Sequence, residues 1–169
     1  SDSVDRTQKL MAAFGIETKD AGKVLDTLNR TAQKSGISVD KLSDLMTANA
    51  ASLQEMGMSA ADAAEFLGGV EKSGADVTVV MRGLQNANKK AAKEGKPMNQ
   101  ALQELQDSLT GATDETTASQ MAIELFGTKA GAAIAQYVRN GQLDFSTLAQ
   151  SAQDSAGSVS STYDEIVDP

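Results

Sequence analysis

Lys89, Lys93 and Lys96 stand at i, i+4 and i+7, with Lys90 beside them. That spacing gathers cations on one face of a helix. Such a face can meet the phosphates of a nucleic acid. It can equally set cations at a helix C-terminus, where each relieves the partial negative charge by a few tenths to about 1 kcal/mol. No aromatic residue is interleaved for base stacking, so the second reading is preferred. Asp114-Glu115 and Asp164-Glu165 are paired carboxylates, the groups used in acid–base chemistry and as ligands of hard cations. Neighbours at i and i+1 point to different sides of a helix, and acids in a first turn serve its dipole. Neither pair is therefore expected to be catalytic. The seven methionines, Met11, Met46, Met56, Met58, Met81, Met98 and Met121, would form an adaptable binding surface if they shared a face. Most fall at core-spaced positions instead, and Met58, in a turn, is expected to fold back on the helix it leaves.

Composition removes most other chemistry. The 169 residues include no Cys and no His. Disulfides, thiolate nucleophiles, thiolate metal sites and imidazole bases are thereby excluded. We expect no catalytic, cofactor-binding or metal-ligating residues and no cofactor. No apolar run approaches the roughly 20 residues of a membrane span, and no charged-then-apolar leader opens the chain. The chain begins without Met at Ser1-Asp2-Ser3 and stops at Asp168-Pro169, which reads as a piece of a longer protein. The net charge of −8 is uneven. Residues 1–96 carry 13 bases and 13 acids, whereas residues 97–169 carry Lys129 and Arg139 against 10 acids. An acidic C-terminal half argues against a general nucleic-acid binder, although DNA can still be a neighbour that slides past.

Helices must position whatever these residues do. Gly15-Ile16, Gly36-Ile37-Ser38, Met56-Gly57-Met58-Ser59 and Gly74-Ala75-Asp76 share one form of punctuation. A glycine just past a helical run can close the helix in the left-handed conformation. Ser38, Ser59 or Asp76 then offers an oxygen to the free N–H groups of the next helix; after Gly15 that cap is assigned to Thr18. Amphipathic spacing predicts helices over residues 1–14, 18–35, 38–56, 59–73, 76–94 and 97–111. Further helices are predicted over 114–126, capped by Thr113, then 130–139, 145–156 and 158–166. Val77-Thr78-Val79-Val80 has strand propensity, but its continuation in helical period through Leu84 predicts helix. Three of the glycine separations are 21 residues, as a solenoid would show. The side chains between them agree only loosely, so helix–turn–helix punctuation is the preferred account. The expected fold is all-α, a compact array of nine or ten short helices with short connections. A soft boundary at Lys93-Glu94-Gly95-Lys96-Pro97 divides an N-terminal lobe, residues 1–95, from an acidic C-terminal lobe, residues 96–169.

Glu124-Leu125-Phe126-Gly127-Thr128-Lys129-Ala130-Gly131 stands out. Two glycines bracket a helix junction and small residues follow, which predicts a close helix–helix corner plugged by Phe126. This corner, the later Asn140-Gly141-Gln142-Leu143 and Ala156-Gly157 together resemble bacteriophage tail tape-measure proteins. Upstream, Gln54-Glu55-Met56-Gly57-Met58-Ser59-Ala60-Ala61-Asp62-Ala63-Ala64 resembles another segment of that family. Ser73-Gly74-Ala75-Asp76 with Met81-Arg82-Gly83-Leu84 resembles a third. The resemblance covers roughly residues 20–165, and Gly57, Ser59, Gly74, Asp76, Phe126, Gly127, Lys129, Gly131, Gly141 and Gly157 carry it as structural positions.

The resemblance implies a non-catalytic structural piece of a protein that sets tail length, assists tail assembly and takes part in DNA ejection. It implies tail-tube subunits, tail assembly chaperones and further tape-measure copies as partners, with DNA nearby but not specifically bound and no membrane contact. It places the chain in the lumen of the virion tail, and in the host cytoplasm during assembly. The alternatives are a carboxylate-based cell-wall hydrolase module, which needs an acid pair facing one cleft, and a generic helical protein-binding adaptor.

Overall fold

The computed structural model describes residues 2–111 and 114–146. Every regular element among them is helical: α1 (Asp2–Phe14), α2 (Ala21–Ser35), α3 (Val39–Ala48), α4 (Ala50–Glu55), α5 (Ala60–Ser73), α6 (Val77–Glu94), α7 (Met98–Gly111), α8 (Glu115–Phe126) and α9 (Thr128–Arg139). The fold is all-α. Val77-Thr78-Val79-Val80 forms the first turn of α6, because burying Val77, Val80, Met81 and Leu84 on one side outweighs their weak strand preference. The helices expected over 145–156 and 158–166, and Gly157 with them, lie outside the described residues except for Phe145 and Ser146.

Punctuation works through backbone geometry. Gly15, Gly36, Gly57, Gly74, Gly95, Gly127 and Gly141 all have positive φ, and no other residue type does among those described. At the α4–α5 turn, the N–H of Gly57 donates to Gln54 O at 2.9 Å and that of Met58 to Leu53 O at 3.0 Å, which closes the carbonyl end of α4. Met58 then turns inward and is 4 % exposed. Ser59 accepts from the backbone N–H of Asp62 at 3.2 Å, Ser38 from that of Lys41 at 3.0 Å, and Asp76 from those of Thr78 and Val79 at 2.9 and 3.3 Å.

Four boundaries differ from expectation. Thr18 does not cap α2: residues Thr18–Asp20 form a single 3-10 turn, and neither its start nor that of α2 receives a side-chain cap. The run 38–56 is broken into α3 and α4 at Asn49, whose Nδ2 donates back to Leu45 O at 2.8 Å. Asn competes with the helical ladder in this way. The cap of α8 is Asp114 rather than Thr113, which lies outside the described residues. α9 begins two residues earlier than expected, at Thr128.

Packing forms two neighbourhoods. In the first, α1 lies on α3 and α4, while α2 packs on α5 and α3. In the second, α6 packs on α7, α8 and α9, and α8 and α9 make the most extensive helix–helix contact among the described residues. Contact between α5 and α6 is sparse. A continuous apolar core nonetheless runs from Leu10 to Phe145, including Leu28, Met46, Leu67, Leu84 and Ile134. Arg6 bridges α1 to α3 through Asp40 and Asp44, at 3.3 and 3.2 Å, and Lys41 pairs with Glu71 across α3 and α5. These pairs are partly exposed to solvent and orient the helices more than they stabilise them.

Candidate functional site

The corner between α8 and α9 is tightly constrained. A single residue, Gly127, separates the two helices, with φ 93° and ψ 162°. This region of the map is open to glycine alone. Asn86 of α6 lies directly over it: a Cβ on Gly127 would stand 2.8 Å from Asn86 Nδ2. That same Nδ2 donates to Phe126 O at 2.8 Å, and Lys90 Nζ donates to Glu124 O at 2.9 Å. Asn86 and Lys90, one turn apart on α6, therefore satisfy carbonyls at the end of α8 that the helix itself leaves free. Lys90 also sets its charge against the negative end of that helix.

Small residues make the corner tight. A Cβ on Gly131 would lie 2.5 Å from Ile123 Cα and 2.6 Å from Ile123 N, so α9 crosses α8 backbone to backbone. Gly83 of α6 makes room instead for side chains, those of Ile134, Ala130 and Phe126. Phe126 is completely buried, and its ring lies 5.3 Å from that of Phe145, tilted by 34°. Gln106, buried on α7, accepts the backbone N–H of Phe145 at 2.8 Å, which fixes the second ring. Lys129 is exposed on the first turn of α9.

A second junction involves further resemblance-bearing positions. Gln142 Nε2 donates to Ser73 O at 2.9 Å, and a Cβ on Gly74 would approach that nitrogen to 3.8 Å. The N–H of Asp76 donates to the Tyr137 hydroxyl at 3.2 Å. The α5–α6 turn, with Gly74 and Asp76, is thus docked on the end of α9 through Tyr137 and Gln142, the neighbour of Gly141. Gly57 and Ser59 sit apart, in the α4–α5 turn.

The lysine tetrad does not act as one face. Lys90 serves α8, Lys96 pairs with Glu104 at 2.8 Å, and Lys89 and Lys93 are exposed. The hydrogen bond from Lys96 holds the Glu104 carboxyl below its ordinary range, and the same contact raises Lys96. Asp114 is likewise held low, first by the backbone N–H of Thr117 and then by its hydroxyl, at 2.7 and 2.9 Å. A lowered carboxyl stabilises the fold above its ordinary pKa of 3.8, and that contribution disappears as pH falls through the lowered value. Acid titration followed by far-ultraviolet circular dichroism should therefore show stability lost below about 3.8. Asp114→Ala should flatten that part of the curve; an unchanged curve would exclude the cap as its source. Asp164-Glu165 lies outside the described residues. Among the described residues, no group of three acids is arranged to hold a metal ion, and no helix is long and apolar enough to cross a membrane.

The bonding roles of Asn86, Gln106, Tyr137 and Gln142 escaped sequence reasoning. Each bonds a backbone group 39 to 69 positions away, and a lone amide or phenol in an amphipathic pattern gives no local sign of such a partner. The family model of the phage-related minor tail protein matches residues 1–129, from α1 to the first residues of α9. No curated protein and no solved structure matches the chain.

Proposed function

We infer the function from one premise: this chain belongs to the phage-related minor tail protein family. It is a phage tail protein with a structural role. Within that role we propose the finer one of a tape measure, a segment of the protein that sets tail length, assists tail assembly and is displaced at DNA ejection. The observation that carries this reading is the family match over residues 1–129, which takes in the Gly57-Ser59, Gly74-Asp76 and Phe126-Gly127 segments in their order. Tail-tube subunits, assembly chaperones and further tape-measure copies are its proposed partners, and the tube lumen its proposed place. The proposed role is non-catalytic. It is supported by the engagement of Asp114 and Glu104 in a helix cap and an ion pair.

A ruler reading has a length attached. As one continuous helix these residues would span on the order of 250 Å, at 1.5 Å per residue. As one compact domain, a chain of this size would have a radius of gyration of about 15 Å. Particles whose tail gene lacks these residues in frame should carry tails shorter by roughly 250 Å in electron micrographs, if the helices are drawn out inside the tube. Tails of unchanged length would remove this segment from the ruler.

A further inference from the structure

The seam between α2 and α5 carries charge that neither the core nor the corner uses. The two helices touch through small groups: a Cβ on Gly68 would stand 2.5 Å from Ser35 Oγ and 3.1 Å from Thr31 Cγ2. Beside that contact they part into an open cleft of about 550 Å³. Arg30 and Lys34, one turn apart on α2, line one wall, and Lys72 and Glu65 of α5 line the other. None of these four belongs to the close ion pairs among the described residues. Thr31, 8 % exposed, and half-buried Ser35 add hydroxyls to the lining, and neither hydroxyl bonds a described residue. Three cations against one acid leave a formal charge of +2, with hydroxyl donors between the walls.

We propose that this cleft binds a phosphate-bearing ligand. The charge matches a phosphate dianion or two linked phosphodiesters, whereas one carboxylate would leave a cation uncompensated. Arg30 supplies the planar fork that grips two oxygens of one phosphate. Lys34 stands about 6 Å further along the helix axis and Lys72 reaches from the opposite wall, so cations meet the ligand from both sides. The phosphate can come from a free polyphosphate or from a nucleic-acid strand. The cleft is local and leaves the acidic C-terminal half outside the contact, so strand binding here does not make the chain a general nucleic-acid binder. This binding is independent of the role proposed above.

The test is calorimetric titration of the purified chain at low salt with tripolyphosphate, a short single-stranded oligonucleotide and citrate. At least one phosphate probe should bind more tightly than citrate. The double variant Arg30→Gln, Lys34→Gln should weaken that binding tenfold or more. Glu65→Gln removes the only acid of the cleft and should tighten it severalfold, an effect that a merely structural role would not produce. Binding of tripolyphosphate alone assigns a free polyphosphate. Binding of the oligonucleotide, with log affinity falling against log salt by about 0.7 per contacted phosphate, assigns a strand. Citrate binding as tightly as phosphate, no binding at all, or affinities unmoved by the variants would overturn the proposal.

Discussion

Replacing Gly131 with alanine is expected to lower stability by about 2–3 kcal/mol. The added methyl group would fall 2.5 Å from Ile123 Cα, 2.6 Å from Ile123 N and 2.8 Å from Ala122 C. All three are backbone atoms, which cannot step aside as a side-chain tip can. α8 and α9 would have to separate by about 1 Å, yet Gly127 alone joins them and Asn86 clamps the joint. Overpacking of this kind costs typically 1–3 kcal/mol and occasionally more; with rigid backbone on the receiving side we take the upper end. Helix propensity returns up to about 1 kcal/mol when Gly becomes Ala. For a chain of this length the net loss corresponds to a melting temperature lower by roughly 5–10 °C. Gly69 is the matched control. It lies inside α5 with nothing within 4 Å of its missing Cβ, so Gly69→Ala should raise stability by about 0.5–1 kcal/mol. Thermal melts of the two variants should move in opposite directions, and a shared direction would sink the close crossing.

How legible the fold was depends on how local the cause was. Gly36, Gly57 and Gly74 end their helices by their own backbone conformation, and Ser38, Ser59 and Asp76 start the next by a bond two or three residues away. Those effects are complete within one turn of chain, so the sequence displays them. The break at Asn49 was hidden because Leu45, Met46 and Leu53 keep a helical period on both sides of it, while the amide turns back on its own helix. Thr18 has a capping side chain, but the chain there takes a 3-10 turn that does not use it. The close corner at Phe126–Gly131 was readable from its glycines and small residues. The clamp that holds it was not, because Asn86 and Lys90 bond carbonyls on a helix 34 to 40 residues away. Lys90 looked like a cation serving its own helix end and instead serves that of α8. The cleft between α2 and α5 was missed for a similar reason. Arg30 and Lys34 share a face with Thr27 and Thr31 on α2, but only packing against Gly68 and Gly69 sets Lys72 opposite them.

Truncating Phe126 to alanine should cost more than any other single side-chain deletion in this corner, about 3–5 kcal/mol. The ring is completely buried and packs on that of Phe145, whereas the Phe126 Cβ, which alanine keeps, is the atom that faces Gly83 of α6. Its removal loses the apolar burial, leaves a cavity between two close helices, and strips the Phe145 ring of its partner. The Asn86 bond is to the Phe126 carbonyl and survives the change, so the loss measured is that of packing. Phe145→Ala removes the other half of the same contact, and the double variant should lose less than the two single losses together. Half-buried Phe66 provides the comparison, with a smaller loss of about 1–2 kcal/mol. A domain of this size has only about 5–15 kcal/mol in all, so Phe126→Ala brings local opening within reach of amide exchange. The pattern of that exchange then decides where the chain divides. α6 packs on α7, α8 and α9 and only sparsely on α5, so its amides should open with those of α8 and α9 while α2, α3 and α5 remain protected. If α6 instead stays protected with α5, the division lies at Gly95, where the charge of the sequence changes. Uniform loss of protection from α1 to α9 would mean that the core from Leu10 to Phe145 yields as one cooperative unit.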